Sequence, residues 1–429
     1  MIKRVLLLGV SLVFIFCFGA FGAEDIKIGV ISDISGPTSD VGKDAAMGIK
    51  EAIRYFNDTG GINGKKIKAF QEDYGYQVPR ADMLYKKFKG YCMALFLQWG
   101  TGDTEALSKT VNADKIPTIS DSFSGHLCNP VEVTHGDKKI PGKPYNFIYS
   151  TDYSTNARAC LTVWFNKVWK QSDKWKAARD AGKKPKLVCF YSVGHPYASA
   201  PIEAIKDQAK LLGIEVSGDQ NVPLVATDAD SQVLAAKKEE PTVVWHGNTT
   251  QSVKAAITSA RRLQLDADHI VNNWGFDENL LKLVADKKEL EGVIGAAACA
   301  FYGDDVPMMK EVLDYGKKVN PGVPVSDRTI RAVKGWLKVA MAAGGLQIAD
   351  KKGKLDGPSI KAAFETFKDW SAFGKPNALG RSPLTITDKD HRPSSIASIY
   401  WIKDGKITLL EQVDMQKAFP KEWPTWLGW

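Results

Sequence analysis

The sequence predicts an α/β fold of parallel sheets flanked by helices, on three observations. Short apolar runs at 26–31, 93–97, 187–191 and 242–245 have the length of buried strands. Between them lie stretches with apolar residues at helical spacing: Ala45, Ile49, Ala52, Ile53 and Phe56, then Leu161, Trp164, Phe165, Val168 and Trp169. Ile202, Ile205, Ala209 and Leu212, and Val253, Ala256, Ile257, Ala260 and Leu263, continue the pattern. Strands alternating with helices build parallel sheets covered on both faces.

The first element in chain order is an export segment at 1–22. Lys3 and Arg4 give a positive start, Val5 to Phe18 an apolar run, and Ala20-Phe21-Gly22 the small residues of a cleavage site after Gly22. A retained membrane anchor is the alternative, because the apolar stretch borders on spanning length. Cys17 lacks the small neighbours of a lipoprotein site, and no other stretch is apolar enough to cross a bilayer. The expected location is therefore periplasmic or extracytoplasmic, with a soluble mature chain.

The 429 residues, 44% hydrophobic and 25% charged, suffice for two or three cores. The formal charge of +8 is spread along the chain without the basic stripe of a nucleic-acid protein, so no nucleic-acid partner is expected. An exported chain meets an oxidising compartment. Cys92 and Cys128 flank two successive strand-like segments and are the candidate disulfide, whereas Cys160 and Cys189 sit in apolar runs that suit buried thiols.

The first strand passes through Gly36-Pro37 into a helix that Gly60 and Gly61 end. Ligands in parallel sheets bind at the carboxyl ends of strands, which directs attention to three loops. After Leu97 comes Gln98-Trp99-Gly100-Thr101-Gly102-Asp103-Thr104, where a helix start with free N–H groups and two glycines suits a carboxylate or phosphate. A plain N-cap and tight turn would leave the same trace. After Ile119, Ser122 and Ser124 occupy alternate positions and would point the same way if the strand conformation persists, although surface serines read identically. After Tyr191 comes Ser192-Val193-Gly194-His195-Pro196-Tyr197, with His195 read as a cleft-edge or surface residue.

Ile28-Gly29-Val30-Ile31-Ser32-Asp33-Ile34-Ser35-Gly36-Pro37, Val41-Gly42-Lys43-Asp44, the turn Asn57-Asp58-Thr59-Gly60-Gly61-Ile62-Asn63-Gly64 and Lys115-Ile116-Pro117-Thr118-Ile119-Ser120 together resemble type I periplasmic solute-binding proteins. More narrowly, they are similar to the branched-chain amino acid, amide and aromatic-acid receptors of ATP-binding-cassette importers. The resemblance runs from about Glu24 to the end and includes Gly380 to Pro393 ahead of a closing hairpin.

That resemblance implies two lobes joined by three crossings, with the ligand in the cleft between them. One lobe would comprise 24–148 plus 300–385 and the other 149–299 plus 386–429. It places the ligand carboxylate on Thr101, beside Gly100, with further contacts on Ser122 and Ser124. Val41 becomes a side wall and Tyr197 an aromatic lid of the second lobe. It also implies a membrane permease that recognises the closed, loaded form.

One position departs from the family pattern. Amino-acid receptors carry an acid after the strand near Ile270 for the ligand ammonium, and this chain reads Asn272-Asn273-Trp274-Gly275-Phe276-Asp277. A buried ammonium without an anionic partner loses several kcal/mol, on the order of a hundredfold or more in affinity. Trp274, with Trp99 as a second flat wall, suits a carboxylate with an apolar or aromatic body and no ammonium. Structural packing is the competing reading for both tryptophans, and Asp277 is an alternative ammonium partner.

No catalytic residue, cofactor or metal is expected. The chain lacks a phosphate loop, a dinucleotide glycine motif after its first strand, Gly-x-Ser-x-Gly and His-Glu-x-x-His. His126, Cys128 and His135 fit no common zinc spacing. A receptor of the same shape that signals to a membrane sensor is the rival to transport.

Overall fold

The computed structural model describes residues 24–380 and 383–429. The export segment read at 1–22 lies outside the described residues. Two parallel-stranded sheets dominate. In the first, strands β1 (Ile26–Ser32), β2 (Ile67–Asp73), β3 (Leu95–Gln98), β4 (Thr118–Ser120) and β5 (Asn146–Ile148) run in the order β2-β1-β3-β4-β5. Ile28 lies beside Leu95, Val30 beside Leu97, and Leu97 beside Ile119 in parallel register. These side chains are fully buried because helices cover both faces, which is why the strands read as unbroken apolar runs.

The second sheet holds β6 (Lys186–Tyr191), β7 (Glu215–Asn221), β8 (Val243–His246), β9 (Asp268–Val271), β10 (Ile294–Ala297), β11 (Ile396–Lys403) and β12 (Lys406–Asp414). Their order is β12-β11-β10-β9-β8-β6-β7, parallel except for the antiparallel β10–β11–β12 end. Asp404 and Gly405, both at positive φ, turn the β11–β12 hairpin. The chain passes from the first sheet to the second at 149–152 and leaves it after β10. It then forms the helices Met309–Val319 and Ile330–Lys351 before returning to β11.

Those two helices pack on helix Ser39–Asp58 beside the first sheet. Gly48 and Gly335 allow the approach: a Cβ on Gly48 would stand 2.1 Å from the Ala332 carbonyl oxygen, and one on Gly335 2.5 Å from that of Ala45. Arg328 ties the same junction, with Nε 2.7 Å from Asp44 and Nη1 2.8 Å from Glu51. Helix Ile330–Lys351 is buried over almost its whole length and mostly apolar, with Arg331, Lys334 and Lys338 as buried charged exceptions along it.

The candidate disulfide does not form: Cys92 and Cys128 are both free. Cys92 precedes β3, at the amino edge of the first sheet, while Cys128 lies beyond the carboxyl end of β4. Because β3 and β4 are parallel, the two residues that flank them in sequence sit at opposite ends of the sheet. Cys160 and Cys189 are buried thiols, as their apolar contexts imply.

Candidate functional site

Loops at the carboxyl ends of strands from both sheets surround a small cavity, with about 260 Å³ of empty space when the open solvent at its mouth is included. Six of the eight residues expected at the site line it: Val41, Trp99, Gly100, Thr101, Tyr197 and Trp274. Thr101 opens helix Thr101–Asp114, whose first N–H groups have no partner within the helix. Gly100 must lack a side chain, since a Cβ there would lie 2.5 Å from Asp103 Oδ1 and 2.6 Å from the Tyr76 ring.

Ser122 and Ser124 behave differently from the expectation. Strand β4 ends at Ser120, so the alternation that would aim both serines one way stops short of them. The Ser122 hydroxyl lies 2.8 Å from the Thr101 hydroxyl and holds it, while Ser124 Oγ is buried without a hydrogen-bond partner. Neither serine lines the cavity.

The aromatic walls meet across the cleft. The Trp99 and Trp274 rings lie 5.2 Å apart, edge to face, and Phe123 stacks on Trp274 at 5.9 Å. Trp99 Nε1 donates to Thr38 Oγ1 at 2.9 Å, and Thr38 donates in turn to Asp33 Oδ2 at 2.7 Å. Tyr197 donates to the Asn248 carbonyl at 3.3 Å, and Tyr153 stands edge-on to it at 5.5 Å. His195 occupies the cleft edge, stacked on Tyr76 at 5.6 Å.

Reasoning from sequence missed Thr38, Tyr76, Asp121, Tyr153 and Thr249, which complete the lining. Thr38, Tyr76, Tyr153 and Thr249 follow the ends of β1, β2, β5 and β8, where the rule that located the three loops was not applied, whereas Asp121 lies in the loop after β4, which the rule did locate but whose serines drew the attention.

The charges near the cavity are largely committed. Asp121 accepts from Lys338 at 2.7 Å and from the Tyr149 phenol. Asp277, the alternative ammonium partner, is fully buried, ion-paired to Arg331 at 2.9 Å, and serves as N-cap of helix Glu278–Leu283. Arg331 also donates to the carbonyls of Asn273 and Trp274, both at 2.8 Å, fixing the loop that carries the indole. Asp40, beside Val41, does not line the cavity, and burial raises its carboxyl. Burial also pushes Asp103 up to about 7, where it accepts from the Tyr74 phenol at 2.6 Å.

Two α/β units whose strand ends converge on one small cavity, walled by aromatics and opened by a helix start, define a two-lobed solute receptor. Residues 25–406 match the family model described as Periplasmic binding protein, and the chain belongs to that family. It is similar to a crystal structure of an ABC transporter substrate-binding protein from Aeropyrum pernix, with 27% identity, TM-score 0.77, and 92% of this chain and 96% of that one covered. A branched-chain amino acid ABC transporter protein from Thermus thermophilus with bound valine has the same fold, with TM-score 0.78, 18% identity, and 92% and 99% coverage. A 65-residue stretch is 35% identical to the Leu/Ile/Val-binding protein homolog 1 of Brucella abortus (strain 2308). That match spans 15% of this chain and 18% of the relative's length.

Proposed function

We propose that this protein is an exported receptor that binds a small carboxylate with an apolar or aromatic body and no ammonium, and delivers it to an ATP-binding-cassette permease. The observation that carries the reading is the Arg331–Asp277 ion pair: the acid nearest in sequence to the expected ammonium position is already ion-paired. Asp121, the acidic residue of the lining, is likewise engaged by Lys338.

In this reading the ligand carboxylate meets the Thr101 hydroxyl and the first N–H groups of its helix, where the helix dipole favours negative charge. Its body lies between Trp99, Val41 and Trp274, with Tyr197 as lid. The lobes comprise 24–148 plus 300–385 and 149–299 plus 386–429, joined by three crossings. The ligand shifts the open–closed equilibrium only by binding the closed form more tightly, and leaves chemically unchanged.

A thermal-shift panel of branched-chain amino acids, benzoate-type and phenylpropanoid acids, short amides and dicarboxylates tests the reading. At a hundred times its dissociation constant a ligand adds about 2.7 kcal/mol of apparent stability. Stabilisation by ammonium-free acids alone is the expected result. Stabilisation by leucine or valine, the outcome the relatives' names favour, would overturn it and point to an ammonium partner such as Asp40.

A further inference from the structure

Besides the Trp99–Trp274 contact, whose two rings both line the cavity, a second aromatic pair crosses the cleft. The rings of Tyr76 and His195 lie 5.6 Å apart and within 24° of parallel. Tyr76 lines the cavity and His195 does not. Tyr76 follows β2, the edge of the first sheet opposite β5, and it is from β5 that the chain crosses at 149–152. His195 follows β6, on the side of the second sheet away from β10 and β11, where the chain leaves and returns. The pair therefore stands at the mouth of the cleft, far from the crossings, where rotation about them separates the walls most.

The backbone aims Tyr76 at this place. Gly75 and Tyr76 both take positive φ, 59° and 57°, and a bulky side chain enters that region only at a cost. Such strain persists where neighbours hold it, and it gathers at ligand clamps. Here the ring is seated against Gly100, where a Cβ would stand 2.6 Å from it. On the opposite wall, His195 is half-buried and its Nδ1 is enclosed without a hydrogen-bond partner. Closing the mouth strips water from that nitrogen and gives it no protein partner, so the contact depends on stacking and is weak enough to reopen.

We propose that Tyr76 and His195 form the gate of the cleft, stacking across its mouth in the closed form and setting the rate at which bound ligand leaves. The inference rests on the closure of two lobes over a ligand given under Proposed function, and it holds whatever the charge of that ligand.

Stopped-flow release of two probes, 4-methylpentanoate and leucine, tests the gate. His195→Ala is the decisive variant, because the imidazole does not line the cavity. It should speed release about threefold to tenfold, the worth of one aromatic pair, with the association rate unchanged. His195→Phe keeps a ring at the mouth and should restore slow release. Tyr76→Ala also removes a lining residue and should speed release further, yet adding His195→Ala to it should change little, because the partner is already gone. Urea unfolding of ligand-free His195→Ala should match wild type.

An unchanged release rate in His195→Ala would overturn the gate, as would effects of the two alanine substitutions that simply multiply. Either result would leave the ligand class intact. Release is read on whichever probe the wild type binds: leucine bound in place of the acid would overturn the ligand class alone, and binding of neither would overturn both.

Discussion

Arg331 and Asp277 meet at 2.9 Å with both side chains buried, and this pair engages the acid that follows the expected ammonium position in sequence. The guanidinium also holds the carbonyls of Asn273 and Trp274, so the carboxylate serves the loop instead of the cavity.

Asp277→Ala should therefore act on stability and spare ligand preference. Removing one partner of a buried pair leaves the other charge unpaired, at a cost of about 3–5 kcal/mol. Urea unfolding reads that loss, and the order of ligand affinities in calorimetry should match wild type. A stable variant with weakened leucine binding would return Asp277 to the ligand.

Thr101→Val keeps the shape of the side chain and removes the hydroxyl. Ligand affinity should fall about tenfold or more, as for the loss of a hydrogen bond to a charged group. Ser122 loses its partner as well, so stability should drop by about 1 kcal/mol. Titration with 4-methylpentanoate decides: a change under about twofold would remove Thr101 from the contact set.

Asp103 sets a pH dependence with a definite sign. Its carboxyl rises to about 7 in the folded chain through burial, and one of its oxygens has no hydrogen-bond partner, which suits a protonated acid. Unfolded, it titrates near 4, so between those values the native state holds a proton the unfolded state has released. Stability from this group is complete at low pH and is lost as pH rises through about 7. Glu278, also pushed up to about 7 by burial, adds in the same direction. Asp103→Asn cannot titrate, so its stability relative to wild type should improve from pH 5 to pH 8, by an amount on the order of a few kcal/mol. Denaturant unfolding across that range measures it, and a constant difference would refute the raised value.

Cys92 and Cys128, both free, predict an insensitivity to reductant. Melting temperature should be the same with and without dithiothreitol. Under native conditions Cys92, the exposed thiol, should react quickly with Ellman's reagent while buried Cys128 resists. A reductant-induced drop of several degrees would reinstate a disulfide.

The interior of the fold was readable from sequence because strands such as β3 and β8 are buried on both faces and leave apolar runs. Strands β2 and β7 left no such trace. Both lie at sheet edges, where only Ile67 of β2 is fully buried and residues such as Lys68, Gln71, Glu72 and Glu215 are tolerated. At the site, Trp99 and Thr101 were legible because they follow an obvious apolar strand, and Trp274 only because the family resemblance directs attention to the position after Ile270. The role of Ser122 was not, because it depends on where β4 stops, and strand ends leave little imprint on sequence. Arg331, Lys334 and Lys338 gave no signal, since charged residues at helical spacing read as a solvated face until the helix is seen enclosed.

Helix Ile330–Lys351 touches both walls of the cleft: Arg331 and Lys334 grip the loop behind Trp274, and two turns on Lys338 grips the Gln98 carbonyl and Asp121 behind Trp99. The two ligand walls are therefore keyed to one rod, and neither is an interchangeable part. A chimera that imports residues 272–277 from a relative without the matching positions 331 and 334 would strand a buried charge of one sign or the other. New ligand preferences in this lineage must then be acquired by coordinated change in a loop and a helix that lie more than fifty positions apart in the chain.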